Sequence, residues 1–218
     1  MGNGANRMTR KIGGDSLAAL LAGALTLVAA GAAHAQSIFG FAVGEDFQAA
    51  AKAHGPPSSK TALGPNIAYK WKLPSGADVS VTAAAQTGRI LYVESDHGRD
   101  AANTPADAPG FTFGTTSLAD IREKFQSNGF GFKANLGRVM GANLVSFNCY
   151  GIKGHDDLVV VFVTLLPVSG IPIVDGKPVV NLGKGHLDAV ILANLAYLQD
   201  IWGQDRLFDP AYHPVDWK

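Results

Sequence analysis

The chain has 218 residues, 18 Lys/Arg against 18 Asp/Glu, 47% hydrophobic residues and a single cysteine. That balance lacks the basic patch of a nucleic-acid binder and gives no attraction to anionic lipid surfaces; Cys149 alone cannot form an internal disulfide. Apolar burial must therefore hold the fold, and nearly half of the residues can supply it.

Arg7, Arg10 and Lys11 precede an Ala/Leu-rich run over 17–32, and Ala33-His34-Ala35 places small residues where a signal peptidase reads. This is the layout of a cleavable secretory signal over 1–35, cut before Gln36. The run falls short of the roughly 20 strongly apolar residues of a membrane span, so no stable insertion is expected after cleavage. No cysteine stands at the cut for lipid attachment, and Arg7 and Arg10 are not adjacent as twin-arginine export requires. The product is expected in the periplasm or outside the cell. Cleavage removes three basic residues and Asp15, leaving fifteen Lys/Arg against seventeen Asp/Glu, a net charge of −2.

Residues 43–54 read as a short helix, with Glu45 and Asp46 in its first turn and Phe47, Ala50, Ala51 and His54 on one face. Gly55 can close it and Pro56-Pro57 prevent continuation. A loop over 56–65 leads into three strands, 67–72, 79–82 and 90–94. They alternate at period two and are separated by Pro74-Ser75-Gly76 and Gln86-Thr87-Gly88, the pattern of an antiparallel meander. A polar connector follows. Ser117 is a candidate N-cap with Asp120 three residues on, and Leu118, Ile121 and Phe125 line a second helix that Gly129 closes. After a Gly-rich loop over 130–137, strands are expected over 143–150 and 158–166. The unbroken run Val159-Val160-Val161-Phe162-Val163 is expected to be central and buried on both faces. Residues 179–182 read as a short strand, and 187–202 as an amphipathic helix carrying Leu187, Val190, Ile191, Leu195, Leu198 and Trp202 on one face. The aromatic tail, with Phe208, Tyr212 and Trp217, is expected to pack back on the domain, with a docking segment for a partner as the alternative.

Phe39-Gly40 and Phe113-Gly114, Asp46 and Asp120, and Gly55 and Gly129 all stand 74 positions apart. The expected class is therefore α+β: two tandem helix-plus-antiparallel-meander units with an additional C-terminal helix. The repeats fall at 36–99 and 111–183 around a linker at 100–110, and the helix and tail at 184–218. The start Phe39-Gly40, the Gly55-Pro56-Pro57 stop and the strand Tyr69-Lys70-Trp71 carry a resemblance, joined in the second unit by Phe113-Gly114, Gly129 and Phe147. Over 38–166 the chain resembles the tandem units of beta-lactamase inhibitory protein and the single unit of the small outer-membrane lipoproteins of the barrel-assembly machinery. It departs from them in lacking the lipid-attachment cysteine and the disulfides and in adding a C-terminal helix. The resemblance implies the fold and a non-catalytic protein-binding role.

Glu94, Asp96, His97 and Asp100 cluster at a strand end, and His155-Asp156-Asp157 in a turn, but neither has a spacing that fixes a metal geometry, so solvated turns are expected. Cys149 alternates within an apolar strand, where an inert buried thiol is expected, not a nucleophile paired with His97 or His155. No Gly-x-Ser-x-Gly elbow or P-loop occurs. Gly183-Lys184-Gly185 before the expected helix could hold an anion at a helix N-terminus, although a plain turn is preferred. The leading expectation is an exported module of the cell envelope that binds another protein, without catalytic residues, metal or cofactor. Its docking surface is expected on the solvent faces of the strands, at Tyr69, Trp71, Tyr92 and Tyr150, because exposed aromatics anchor interfaces. The alternatives are a small hydrolase or metal enzyme using the Asp/His turns, and a self-assembling envelope component joined through the Leu187 helix.

The intact mass of the exported protein should match a chain beginning at Gln36. A mass retaining 17–32 would mean an anchored protein.

Overall fold

The computed structural model describes residues 36–96, 103–108 and 110–217. The expected signal segment and part of the expected linker, including His97 and Asp100, lie outside the described residues. A two-stranded ribbon, β1 (Ser37–Ile38) and β2 (Phe41–Ala42), leads to helix α1 (Phe47–His54). A meander follows: β3 (Ser59–Leu63), β4 (Asn66–Lys72), β5 (Asp78–Ala84) and β6 (Ile90–Asp96). Helix α2 (Leu118–Phe125) precedes β7 (Phe130–Phe132), β8 (Arg138–Met140), β9 (Asn143–Ile152) and β10 (His155–Pro167). A small ribbon, β11 (Ile173–Val174) and β12 (Lys177–Pro178), then gives way to β13 (His186–Asn194), α3 (Leu195–Trp202) and β14 (Arg206–Phe208).

Ten strands form a single antiparallel sheet in the order β14-β7-β9-β10-β13-β6-β5-β4-β3, with β8 as a further partner of β9. This overturns the α+β arrangement of two helix-plus-meander units. The structure is mostly antiparallel sheet, and all of its long strands belong to one continuous layer. The cause lies in the segment expected to be the C-terminal helix. Residues 186–194 are strand β13, paired with β10 on one side and with β6 on the other, so they join the two halves of the sheet. Only Leu195–Trp202 is helical. Ala189-Val190-Ile191-Leu192-Ala193 is apolar at every position, so it satisfies a helical stripe and a doubly buried strand equally well. Its branched residues suit the pleated surface.

Smaller corrections have local causes. The expected loop over 56–65 contains the edge strand β3, exposed throughout and paired with β4. The expected strand over 179–182 is absent, and Leu182–Lys184 is a turn of 3-10 helix. Helix α2 ends at Gln126, which takes the left-handed cap conformation at φ 51°, before Gly129 is reached. Asp46 caps α1 from outside by accepting hydrogen bonds from the Gln48 and Ala49 amides at 2.8 and 3.2 Å. At α2 the capping box is complete: Ser117 Oγ accepts from the Asp120 amide at 3.2 Å, and Asp120 Oδ2 accepts from the Ser117 amide at 2.8 Å.

Strand β10 carries the packing. Leu158, Val160 and Phe162 join Leu187, Val190 and Leu192 of β13 in a core under α1 and α2. Val159, Val161 and Val163 join Ala189, Ile191 and Ala193 in a second core on the opposite face, capped by Leu198 of α3 and by Phe130 and Phe132 of β7. The expectation of a central strand buried on both faces thus describes β10. Aromatic rings fill the first core: Phe47 stacks on Tyr69 at 3.8 Å between centroids, and Phe125 lies 5.6 Å from Phe162. The tail folds back, burying Val215 and Trp217 in the same core. Among the described residues no helix is long and apolar enough to cross a membrane.

Phe47 and Ile121 both sit on helices and are buried, as is Leu198 on the other face. Alanine at each should lower stability by about 2–5 kcal/mol in urea denaturation. Lys52→Ala and Ile201→Ala, at exposed helical positions, should stay within about 0.5 kcal/mol of the parent.

Candidate functional site

The four aromatics expected on solvent faces are not there. Tyr69, Trp71 and Tyr150 are 7%, 5% and 0% exposed. They face the helices because β4 and β9 have a covering layer on that side. Their polar ends are satisfied internally: Trp71 Nε1 donates to the Gly55 carbonyl at 3.1 Å, and Tyr150 Oη donates to the Ser127 carbonyl at 3.2 Å. Tyr92 points to the other face, half-buried, edge-on to Tyr197 of α3 at 5.9 Å. The expected docking set is therefore core and near-core packing.

Tyr92 does belong to a polar row. Tyr92, Glu94 and Asp96 alternate on the α3 side of β6. Tyr92 Oη donates to Glu94 Oε2 at 2.6 Å. Burial, reinforced by the neighbouring Asp96 charge, pushes the Glu94 carboxyl up to about 7, against the pull of the Tyr92 hydrogen bond and Lys70. Burial also raises Asp96, opposed by its hydrogen bond to Glu94 and by Lys70. One carboxyl thus holds a proton near neutrality beside another. Its surroundings are the ring of Tyr92 and the adjacent strands, so the row reads as a buried network in the sheet. Among the described residues no group of three or more His, Cys, Asp or Glu side chains is placed to hold a metal ion. Cys149 is buried, and burial pushes its thiol well above the usual range, which disfavours the thiolate a nucleophile needs. Gly183 and Lys184 precede a strand, so the helix N-terminus that would have held an anion does not exist.

A concave feature lies at a fork in the sheet. One edge of β9 pairs along its length with β10. The other edge meets two short strands: β7 at Phe130↔Cys149, and β8 from Arg138↔Val145 to Met140↔Asn143. Residues 146–148 lie between these two stretches of pairing. Gly129 brings β7 in: its φ is +74°, and a Cβ there would stand 2.5 Å from the Cys149 carbonyl oxygen. A 3-10 turn, Lys133–Asn135, then carries the chain across the gap to β8.

Two adjoining cavities open at this fork. One, of about 300 Å³, runs from Arg122, Asn148 and Asp209 past Phe147 to Leu207 and Phe208. The other, of about 260 Å³, continues to Leu144 and Val180. Leu136, Ser146, Phe147 and Leu182 line both, so they form one groove. Leu136, Leu207 and Phe208 on its walls are 53%, 48% and 48% exposed. The polar end is built on α2 and β9: Arg122 Nη2 donates to Asn148 Oδ1 at 3.2 Å, and Asn148 Nδ2 donates to Ser146 Oγ at 2.9 Å. Sequence reasoning named Phe147 only for the resemblance and Phe208 only as part of the aromatic tail, and it assigned none of Arg122, Leu136, Asn148 and Leu207 to a site. The groove draws on α2, β7, β9, the segment before β13 and β14, and no local pattern announces that they meet.

No family model matches the sequence, and no curated protein matches it. Among solved structures the chain is similar to an extracellular protein containing a SCP domain from Bacillus anthracis str. Ames, with 10% sequence identity and a TM-score of 0.47. The match covers 96% of this chain and 57% of that one, so the chain spans little more than half of its neighbour's length.

The raised Glu94 carboxyl has a consequence for stability. Its contribution is complete below the usual carboxylate range, where both folded and unfolded chains hold the proton. As pH rises the unfolded chain releases its proton first, and the contribution is gone once pH passes about 7. Glu94→Gln should therefore gain on the parent in urea midpoint between acidic and mildly alkaline pH. A constant difference across that range would contradict the assignment.

Proposed function

We propose that the mature chain is an exported, non-catalytic protein-binding module of the cell envelope, inhibitor-like or assembly-factor-like, working in the periplasm or outside the cell. Its docking surface is the groove at the fork of β9, which replaces the strand aromatics in that role. The observation that supports this reading most is the concentration of exposed apolar side chains on the groove's walls. Leu136, Leu207 and Phe208 leave apolar area in water beside a strand edge that two short partners cover incompletely, and such patches mark interaction sites. Val139, Met140 and Val180 are also exposed near this end of the sheet. An extended segment laid along such an edge gains main-chain hydrogen bonds from the strand and specificity from side-chain pockets. The N-terminal pattern over 1–35 supports export. Self-assembly through a Leu187 helix loses its basis, because Leu187 is buried on strand β13.

Site-specific photocrosslinking in cells tests the docking surface. A photoreactive side chain at Leu136 or Leu207 should capture a discrete protein partner, and one at Lys52, exposed on α1, should not. Phe208→Asp should reduce capture from both groove positions while leaving the melting temperature nearly unchanged, since the ring is already half in solvent. Equal capture from Lys52 and Leu207, or none from either groove position, would overturn the assignment.

A further inference from the structure

We infer that the Arg122 end of the groove is a subsite for the terminal carboxylate of a partner's extended apolar segment, an inference that rests on reading the groove as a protein-docking site.

The groove holds a guanidinium with hydrogen-bond donors to spare. Arg122 lies on the flank of α2, half-buried, with five N–H donors to place. Its one side-chain hydrogen bond among the described residues is the 3.2 Å bond from Nη2 to Asn148 Oδ1. Its Nε is shut away from solvent without a partner. Neither the Lys133–Asp205 nor the Lys153–Asp216 ion pair involves it. Asp209 on the same groove feels the Arg122 charge but spends its oxygens on Ala211 and Asn128, so the guanidinium keeps donors that an anion arriving in the groove can take up. Asn148 is itself 5% exposed and is held by its bond to Ser146. It therefore fixes the guanidinium in place before any ligand arrives, which limits the entropy lost on binding.

The chemistry of the surroundings selects the anion. A guanidinium presents parallel donors that match the two oxygens of a carboxylate. Asp209 stands on the same groove with its oxygens already engaged, Oδ1 by the Ala211 amide at 2.9 Å and Oδ2 by Asn128 Nδ2 at 3.1 Å. Those hydrogen bonds, with a smaller pull from the Arg122 charge, keep its carboxyl below the usual range, so it is ionised at neutral pH. A fixed negative charge there repels a phosphate dianion more than a carboxylate monoanion.

The walls select a chain end. On one side of Arg122 the groove is apolar, through Phe147 and Leu136. On the other side the surface turns polar, with Glu123, Gln126 and Asn128. An apolar segment lying along the first stretch runs out of apolar wall at Arg122, and its terminal carboxylate falls beside the guanidinium.

The test uses the mature chain and four probes: the N-acetylated tetrapeptide Val-Thr-Val-Phe as free acid, the same peptide as C-terminal amide, an amide variant ending in Glu, and inorganic phosphate. The readout is the NMR shift of the Asn148 side-chain amide and of backbone amides 146–148. The free acid should saturate these shifts and bind at least about tenfold tighter than the amide. Arg122→Gln should bring the acid-to-amide ratio close to one. Asn148→Ala should narrow it as well, through loss of the clamp, and circular dichroism checks that both variants are folded. If either is not, the acid-to-amide comparison on the parent decides. Equal binding of acid and amide would overturn the carboxylate subsite and leave the groove reading standing. Binding of the Glu-ending amide or of phosphate as tight as the acid would overturn the chain-end assignment. No shift at 146–148 with any peptide up to roughly 10 mM, a level at which even a weak site fills, would overturn both readings.

Discussion

Burial of β10 on both faces is the constraint from which the rest of the architecture follows. Its alternate residues feed two separate cores, Val160 and Phe162 into one and Val159, Val161 and Val163 into the other. A strand of this kind cannot sit at an edge or face water, so it needs a strand on each side and a layer on each face. Strand β9 supplies one neighbour and β13 the other. Helices α1 and α2 cover one face, and α3 covers the other. Because β13 also pairs with β6, the strands before and after the expected linker become one sheet.

The same arrangement produces the groove. The inner edge of β9 is fully committed to β10, while its outer edge is shared between two strands of three residues each. A single glycine sets how they diverge. Gly129 can follow a left-handed path and lie against the Cys149 carbonyl, where any side chain would collide. The chain thus reaches β9 at Phe130, leaves it through a 3-10 turn and returns as β8. The open stretch between them carries Asn148 toward α2, and so brings a buried amide under Arg122. Core packing and the groove meet in one strand, with Tyr150 in the aromatic core and Asn148 and Ser146 two and four residues earlier.

The two charged features of the sheet differ in kind. The Tyr92, Glu94 and Asp96 row is self-contained: burial raises the Glu94 carboxyl, which can take up a proton, and the phenol donates to it. Arg122 cannot neutralise itself by giving up a proton, because a guanidinium keeps its charge at any accessible pH. Its surroundings leave donors unspent. That contrast separates a self-contained network from a guanidinium with donors to spare.

Elements whose signals are local were legible in the sequence. Helices α1 and α2 follow from their acidic or Ser/Asp starts and their spaced apolar residues. Strands β4, β5 and β6 follow from alternation between turn residues, and the doubly buried β10 follows from an unbroken apolar run. The strand β13 was not legible, because a run apolar at every position fits a helical stripe and a doubly buried strand alike, and only the slot between β10 and β6 chooses between them. Nor could alternation say which face of β4 or β9 would be covered. Tyr69, Trp71 and Tyr150 have the spacing of interface anchors and of core residues equally, and the positions of α1 and α2 decide. The groove is wholly a tertiary product, since Arg122, Leu136, Asn148, Leu182 and Phe208 are scattered over the chain and are neighbours only because β9 divides its outer edge between two partners.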